Sequence, residues 1–186
     1  MIIDKPVKTI TLYHGSVSFF EKPDANKGKP YKDFGKGFYL SQEKQNAINI
    51  AFRNKSIEES RNKRLGKTDN INAFLYTFEL NPTSLIEYSV KDFPNADNEW
   101  LLFVLANRSS SDKSHTYDVV IGPTANDDTR ASLRAYNAGA YGEQDSDEAM
   151  NILIHRLKVD KLPEQFYFSN NKVLSVLASK GDAIQL

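Results

Sequence analysis

The stretches "LYHGS", residues 12–16, and "DFGKGFYLS", residues 33–41, decide how this chain can fold. The first ends a run in which Thr, Ile, Leu and Tyr alternate, and this pattern predicts a β-strand that ends at His14. The second carries aromatic side chains behind two glycines, which predicts a bend and a short strand that holds Tyr39. A histidine and a tyrosine are thus expected at the ends of two separate strands.

Composition indicates one globular domain, residues 1–186. The chain has 186 residues, of which 40% are hydrophobic, enough for a core that needs no metal or disulfide. Lys plus Arg and Asp plus Glu both number 24, so the net charge is zero, which disfavours general binding of polyanions. The start lacks a signal-peptide pattern, and no stretch reaches about 18 apolar residues. We expect a soluble, cytoplasmic protein that does not span a membrane.

Short apolar runs and amphipathic runs follow one another without a regular β-α-β-α order. The predicted strands are 9–14, 37–41, 73–80, 85–88, 117–122, 165–169 and 183–186, and the predicted helices are 41–55, 98–108, 127–137, 148–159 and 171–181. Short strands mixed with helices favour an α+β fold with a split sheet over a doubly wound parallel sheet.

Several common catalytic motifs are absent from the sequence. It contains neither GxxxxGK[ST] nor GxGxxG, so the usual phosphate-binding loops are missing. There is no GxSxG nucleophile elbow. The three histidines, His14, His115 and His155, are far apart and form no HExxH pair, and there is no cysteine. We therefore expect no metal site.

His14 is the first candidate for a binding residue. Because strand residues alternate between faces, Ile10, Leu12 and His14 share one face, which we expect to be buried below the histidine. A neutral imidazole there can bind a ligand hydroxyl with one nitrogen while a backbone group fixes the other. Gly15 would let a flat ligand approach the backbone. The residues alone leave open the alternative of a core histidine that ends a strand and binds nothing.

Tyr39 is the second candidate, within the element Gly35-Lys36-Gly37-Phe38-Tyr39. An exposed ring behind two glycines could stack on a planar ligand, which contributes about 1 kcal/mol beyond burial. The alternative is a hairpin bend whose aromatic side chains belong to the core.

Together, these motifs resemble the histidine and tyrosine motifs of the diphtheria-toxin-like and poly-ADP-ribose-polymerase-like ADP-ribosyltransferases. More closely, "LYHGS", "KDFGKGFYLS", "YDVVIGP", "ANDD" and "EQFYFSN" resemble the bacterial family called domain of unknown function 3990, which is grouped with that fold. The resemblance covers about residues 10 to 178. It implies a split antiparallel β-sheet core with flanking helices that binds NAD⁺ as a substrate, with no metal.

The resemblance also implies roles for individual residues. His14 matches the histidine that holds a ribose hydroxyl of NAD⁺, and Gly15 matches the residue whose backbone binds the nicotinamide carboxamide. Ser16 follows in the same motif and is expected near that amide. Tyr39 matches the tyrosine that stacks on the nicotinamide ring, and Ser41 begins the helix behind it.

A third motif residue, usually glutamate, belongs at the start of a late strand, where it supplies negative potential to the ribose. Gln165 occupies the aligned position, and Glu164 precedes it as the alternative. Neighbouring strand residues point to opposite faces, so the two cannot serve equally. Asp127 and Asp128 could supply the charge that glutamine lacks, but we favour them as caps of the next helix.

The resemblance implies a mono-ADP-ribosyltransferase that transfers ADP-ribose from NAD⁺ to a macromolecule. Small bacterial proteins of this kind often act as toxins of toxin–antitoxin pairs or as phage and effector enzymes, so a cognate antitoxin is one expected partner. The lack of basic clustering slightly favours a protein acceptor over nucleic acid. The alternatives are an NAD⁺ glycohydrolase and a catalytically inactive module of the same fold that binds a nucleotide or a partner.

Overall fold

The computed structural model describes residues 8–125, 128–157 and 162–186, and of residues 128–130 only the backbone. Strands and helices are mixed along the chain, as expected for an α+β protein. The strands are β1 Ile10–Ser16, β2 Phe38–Ser41, β3 Phe74–Leu80, β4 Val90–Asp92, β5 Val119–Pro123, β6 Glu164–Phe168, β7 Leu177–Ser179 and β8 Ile184–Gln185. The helices are α1 Lys44–Arg64, α2 Asn98–Arg108, α3 Asp128–Asn137, α4 Asp147–Arg156 and α5 Asn171–Leu174, with short 3₁₀ helices at Ala25–Lys27 and Pro82–Leu85.

The strands form one sheet in the order β4-β5-β6-β2-β1-β3-β7, and β8 pairs with the other end of β3. The expectation of an antiparallel sheet needs one correction, because β4 and β5 are parallel and the sheet is therefore mixed. β1 and β3 pair along seven residues, whereas β1 and β2 share the single register pair Tyr13 and Ser41. The sheet is thus nearly divided between β1 and β2.

Each face of the sheet carries its own hydrophobic core. On one face, Val120 of β5 and Tyr167 of β6 pack under α2 and α4, around the fully buried Trp100. On the other face, Phe166 and Phe168 of β6 join side chains of β1, β2, β3 and α5. Because β6 is buried on both faces, its sequence is an unbroken apolar run after Gln165.

Two predicted elements were wrong: a local hydrogen bond explains the first, and pairing with a distant strand explains the second. The predicted strand 85–88 is not formed: the Asn81 side chain accepts a hydrogen bond from the Thr83 N–H and starts a 3₁₀ helix with Pro82 in its first turn. The predicted helix 171–181 ends at Leu174. The chain then extends as β7, which pairs with β3.

α1 lies against β1 at a point where only glycine fits. A Cβ added to Gly15 would lie 1.9 Å from the carbonyl oxygen of Ala47 and 3.0 Å from the backbone nitrogen of Ala51. The two alanines are buried, so the helix backbone itself rests on the strand. Gly15 is therefore required for helix packing, whatever else its backbone binds.

We expect Gly15→Ala to lower the free energy of unfolding by about 3 kcal/mol, because the new methyl group forces α1 away from β1. Gly66→Ala is the matched control: its Cβ would meet no atom within 4 Å, and only its φ of 67° opposes the change. That control should lose about 1 kcal/mol. Urea denaturation of the three proteins measures both values. Equal losses in the two variants would contradict the packing role of Gly15.

Candidate functional site

His14 lies on β1, on the face that it shares with the buried Leu12. The prediction that the strand ends at His14 was wrong, because β1 stays paired with β3 as far as Ser16. Its imidazole stacks on the ring of Phe38, with centroids 4.3 Å apart and planes at 21°. Phe20 and Tyr76 surround the same ring, with centroids at 5.7 and 6.2 Å. The Nδ1 atom lies 2.7 Å from the main-chain oxygen of Tyr39. The expected arrangement, in which a backbone group fixes one nitrogen, is thus present.

The protonation state of His14 follows from this environment. Burial lowers the pKa of the imidazole to about 4, although the bond to the Tyr39 carbonyl opposes that shift. A carbonyl oxygen only accepts hydrogen bonds, so the proton of the neutral ring sits on Nδ1. Nε2 is then a bare acceptor, and within the described residues no donor reaches it. One nitrogen of His14 is anchored, and the other is available to a hydroxyl group.

The neighbours of His14 on β1 are engaged in local structure. Gly15 faces the backbone of α1, so a flat ligand cannot lie against its Cα on that side. The hydroxyl oxygen of Ser16 accepts a hydrogen bond from the Ser18 N–H at 3.0 Å.

Tyr39 points to the opposite face of the sheet from His14. Its hydroxyl donates to the Gly35 carbonyl at 2.6 Å and accepts from the Phe34 N–H at 3.1 Å. Its ring lies near that of Tyr167, with centroids 5.2 Å apart. Burial, followed by the charge of Asp33, raises the pKa of the Tyr39 hydroxyl well above its usual value. The hydroxyl therefore stays protonated, and its two hydrogen bonds hold the loop at Phe34 and Gly35 against β2.

The loop before Tyr39 requires glycine at position 35. Its φ is 89°, and a Cβ there would lie 2.6 Å from the Cβ of Lys113. Both the turn and the close approach favour glycine.

Ser41 and Gln165 are partners across β2 and β6. The Ser41 hydroxyl donates to the Glu164 carbonyl and accepts from the Glu43 N–H and the Asn46 amide, at 3.1 to 3.3 Å. A hydroxyl makes no more than three such bonds, so none is left for a ligand. The prediction that the helix begins at Ser41 was wrong, since α1 begins at Lys44 with Glu43 as its N-cap.

The two candidates for the third motif position point in different directions. Glu164 is exposed, and its carboxylate accepts a hydrogen bond from Gln42 at 2.9 Å. Partial burial, and then the charge of Asp92, raises the pKa of Glu164. Gln165 is 8% exposed and lies on the same face as Tyr39 and Tyr167. The buried position therefore belongs to the uncharged residue.

Gln165 contacts a buried ion pair, Asp33 with Arg108, that the sequence analysis missed. Asp33, 6% exposed, accepts a hydrogen bond from Nε of Arg108 at 2.8 Å, and Nη2 of the same guanidinium lies 2.6 Å from the same carboxylate oxygen. Its other oxygen accepts from the Ala125 N–H and the Gln165 amide, both at 2.9 Å. The only sequence signal was an acid inside the "KDFGKG" motif, 75 residues from its arginine. Asp127 lies outside the described residues, and Asp128 begins α3.

The structure joins His14 to Tyr39 through the main chain of Tyr39, with the two rings on opposite faces of β2. A ligand that touches both side chains would therefore have to reach both faces of the sheet. A cleft of about 560 Å³ lies between α2 and α4, away from the predicted site. None of the seven predicted site residues lines it; its lining residues are Ala96, Asp97, Asn98, Glu99, Asn151 and Ile154.

A metal-binding cluster and a membrane span are both absent from the described residues. No group of three His, Asp or Glu side chains there could hold a metal ion, and none of the helices there has the length and apolar character that a membrane span requires.

The fold and site define a class: an α+β protein whose mixed sheet nearly divides beside an anchored, neutral histidine. The chain belongs to the family described as Protein of unknown function (DUF3990), whose sequence model matches residues 10–178. Neither a search of curated proteins nor a search of solved structures found a match.

Burial of His14 predicts a pH dependence of stability. The pKa is about 6.5 in the unfolded chain and about 4 in the fold, so the unfolded chain binds more protons between these values. The free energy of unfolding should fall as the pH drops from 6.5 to 4, by at most about 3 kcal/mol from this residue. His14→Asn keeps a hydrogen-bond donor near the position of Nδ1 but does not titrate. The variant should therefore lack the part of the pH dependence of stability that His14 contributes.

Urea denaturation of both proteins at intervals from pH 4 to 7 measures the difference. Burial also lowers the pKa of His115, but this histidine is present in both proteins, so its contribution cancels. Parallel stability curves for the wild type and His14→Asn would show that His14 is not held neutral by burial.

Proposed function

We propose that this protein is a mono-ADP-ribosyltransferase that transfers ADP-ribose from NAD⁺ to a macromolecular acceptor. The observation that carries the proposal is His14, whose Nδ1 is fixed by the Tyr39 carbonyl and whose Nε2 is a neutral acceptor. The order of the motifs around His14, Tyr39 and Gln165, and their resemblance to ADP-ribosyltransferase motifs, support the same function.

The chemistry needs an acceptor of the kind that His14 provides. The bond between nicotinamide and C1′ of the ribose breaks, and nicotinamide leaves with the bonding electron pair. C1′ then carries oxocarbenium character until an acceptor nucleophile bonds to it and loses its proton. A neutral Nε2 can accept a hydrogen bond from a ribose hydroxyl and hold the sugar in place for this step. A protonated ring would instead donate, and it would add a positive charge beside a developing cation.

Gln165 takes the third position in this proposal. As a buried amide on the face of Tyr39, it can accept a hydrogen bond from a hydroxyl of the ribose or of the acceptor. It carries no charge with which to orient an acceptor nucleophile, so NAD⁺ glycohydrolase activity, with water as the acceptor, is the second candidate function. A protein acceptor is slightly favoured over nucleic acid by the zero net charge. A toxin with a cognate antitoxin is the biological setting that we infer.

Incubation with NAD⁺ and a bacterial lysate tests the proposal. We expect nicotinamide release together with a mass gain of one ADP-ribose on an acceptor, read by intact-mass spectrometry. His14→Asn should lower nicotinamide release about 100-fold, because it removes the Nε2 acceptor and keeps the bond to the Tyr39 carbonyl. The matched control is His155→Asn, on the exposed side of α4, which should release nicotinamide at the wild-type rate.

The products separate the candidate functions. Free ADP-ribose without a modified acceptor would identify a glycohydrolase. NAD⁺ binding without nicotinamide release would identify an inactive binding module, and equal rates for the wild type and His14→Asn would exclude the role given to His14.

A further inference from the structure

Asp33 is a buried acid that the sequence did not single out, and its carboxylate accepts three hydrogen bonds. One oxygen of the carboxylate forms an ion pair with Arg108 and accepts a hydrogen bond from its Nε, and the other oxygen accepts hydrogen bonds from the Ala125 N–H and the Gln165 amide. The arginine neutralises one side of the carboxylate. The ion pair therefore presents its negative end to Gln165.

The hydrogen bonds fix the orientation of the Gln165 amide. Its Nε2 lies 2.9 Å from an Asp33 oxygen and 3.4 Å from the Pro123 carbonyl oxygen. Both partners only accept hydrogen bonds, so the NH₂ group must face them and Oε1 must point away. No described residue donates to Oε1.

We propose that Asp33 and Gln165 act as one unit, in which the buried carboxylate holds the amide so that Oε1 faces the ribose or the acceptor. The role of this unit in catalysis rests on the proposed function. Asp33 is a positioning residue here, because it reaches the substrate through Gln165. The unit explains why this position holds a glutamine: a second carboxylate would meet the first at hydrogen-bond distance.

Hydrogen bonding to a carboxylate also changes the amide itself. A negative charge behind the NH₂ group polarises the amide and makes Oε1 a stronger acceptor. The influence of Asp33 on this face is visible at Tyr39, whose hydroxyl pKa its charge helps to raise. Negative potential can thus reach a developing cation without an ionised side chain at position 165.

Gln165→Glu is the decisive variant. At pH 8 its carboxylate would face two acceptors, Asp33 and the Pro123 carbonyl, and would lose both hydrogen bonds. Once protonated, the new carboxyl group can still donate to Asp33, so stability and activity should recover as the pH falls. The charged or titratable side chains packed on this face are Asp33, Arg108, Tyr39, Tyr167, His115 and Lys32. All six are present in the wild type and in the variants, so the wild-type profile is the reference for the pH dependence that the new carboxyl adds.

The experiment compares the wild type, Gln165→Glu and Gln165→Met by urea denaturation and by nicotinamide release from pH 5.5 to 8. For Gln165→Glu we expect release at least 10-fold below the wild type at pH 8, and a denaturation midpoint that rises as the pH falls. Gln165→Met has a similar volume but no polar atoms. It should lose release at every pH without any pH dependence of stability beyond that of the wild type.

Two results would overturn the unit: nicotinamide release by Gln165→Glu at or above the wild-type rate at pH 8, or a stability profile of Gln165→Glu parallel to that of the wild type. The second readout needs no enzyme activity. If the wild type releases no nicotinamide, the proposed function fails, and the stability profile still decides whether Asp33 and Gln165 are coupled.

Discussion

The buried carboxylate of Asp33 is the constraint on which the arrangement of this molecule depends. It connects the loop before β2, the end of α2, the segment after β5 and the start of β6, through Arg108, Ala125 and Gln165. A buried charge is tolerated only when it is paired and hydrogen-bonded, and removal of one partner typically costs about 3–5 kcal/mol, a large part of the roughly 5–15 kcal/mol by which a domain is stable. The four segments are therefore coupled, because a movement of any one of them would leave the buried charge of Asp33 without one of its partners.

The near division of the sheet gives the candidate site its form. β1 and β2 share a single register pair, Tyr13 with Ser41, which lies next to His14 in β1. The histidine bridges the two strands through the Tyr39 carbonyl, and its ring belongs to the aromatic core of one face. Tyr39 and Gln165 belong to the other face, together with Asp33. The proposed reaction would thus use both faces at one edge of the sheet, with backbone as the link between them.

Much of the fold could be predicted from residue patterns. The strands at 10–16, 74–80 and 119–123 and the helix at 98–108 follow from local periodicity and from caps such as Asp97, whose side chain accepts a hydrogen bond from the Trp100 N–H. The residue pattern gave a wrong prediction where a segment fits both the helical and the strand period. The run from Asn171 reads as one helix because its apolar residues fit either period, and pairing with β3 decides for a strand after Leu174.

Some features of the candidate site could likewise be predicted from the sequence, and others could not. The sequence by itself determined that His14 lies on the apolar face of a strand and that two glycines precede Tyr39, because alternation and glycine chemistry are local properties. It could not determine that Gly15 receives a helix backbone, that Ser41 has no hydrogen bond to spare, or that Asp33 meets Arg108 and Gln165. Those contacts join residues up to 132 positions apart. Only the tertiary structure decided them, since an ion pair or a hydrogen bond depends on distance in space, which no local pattern encodes.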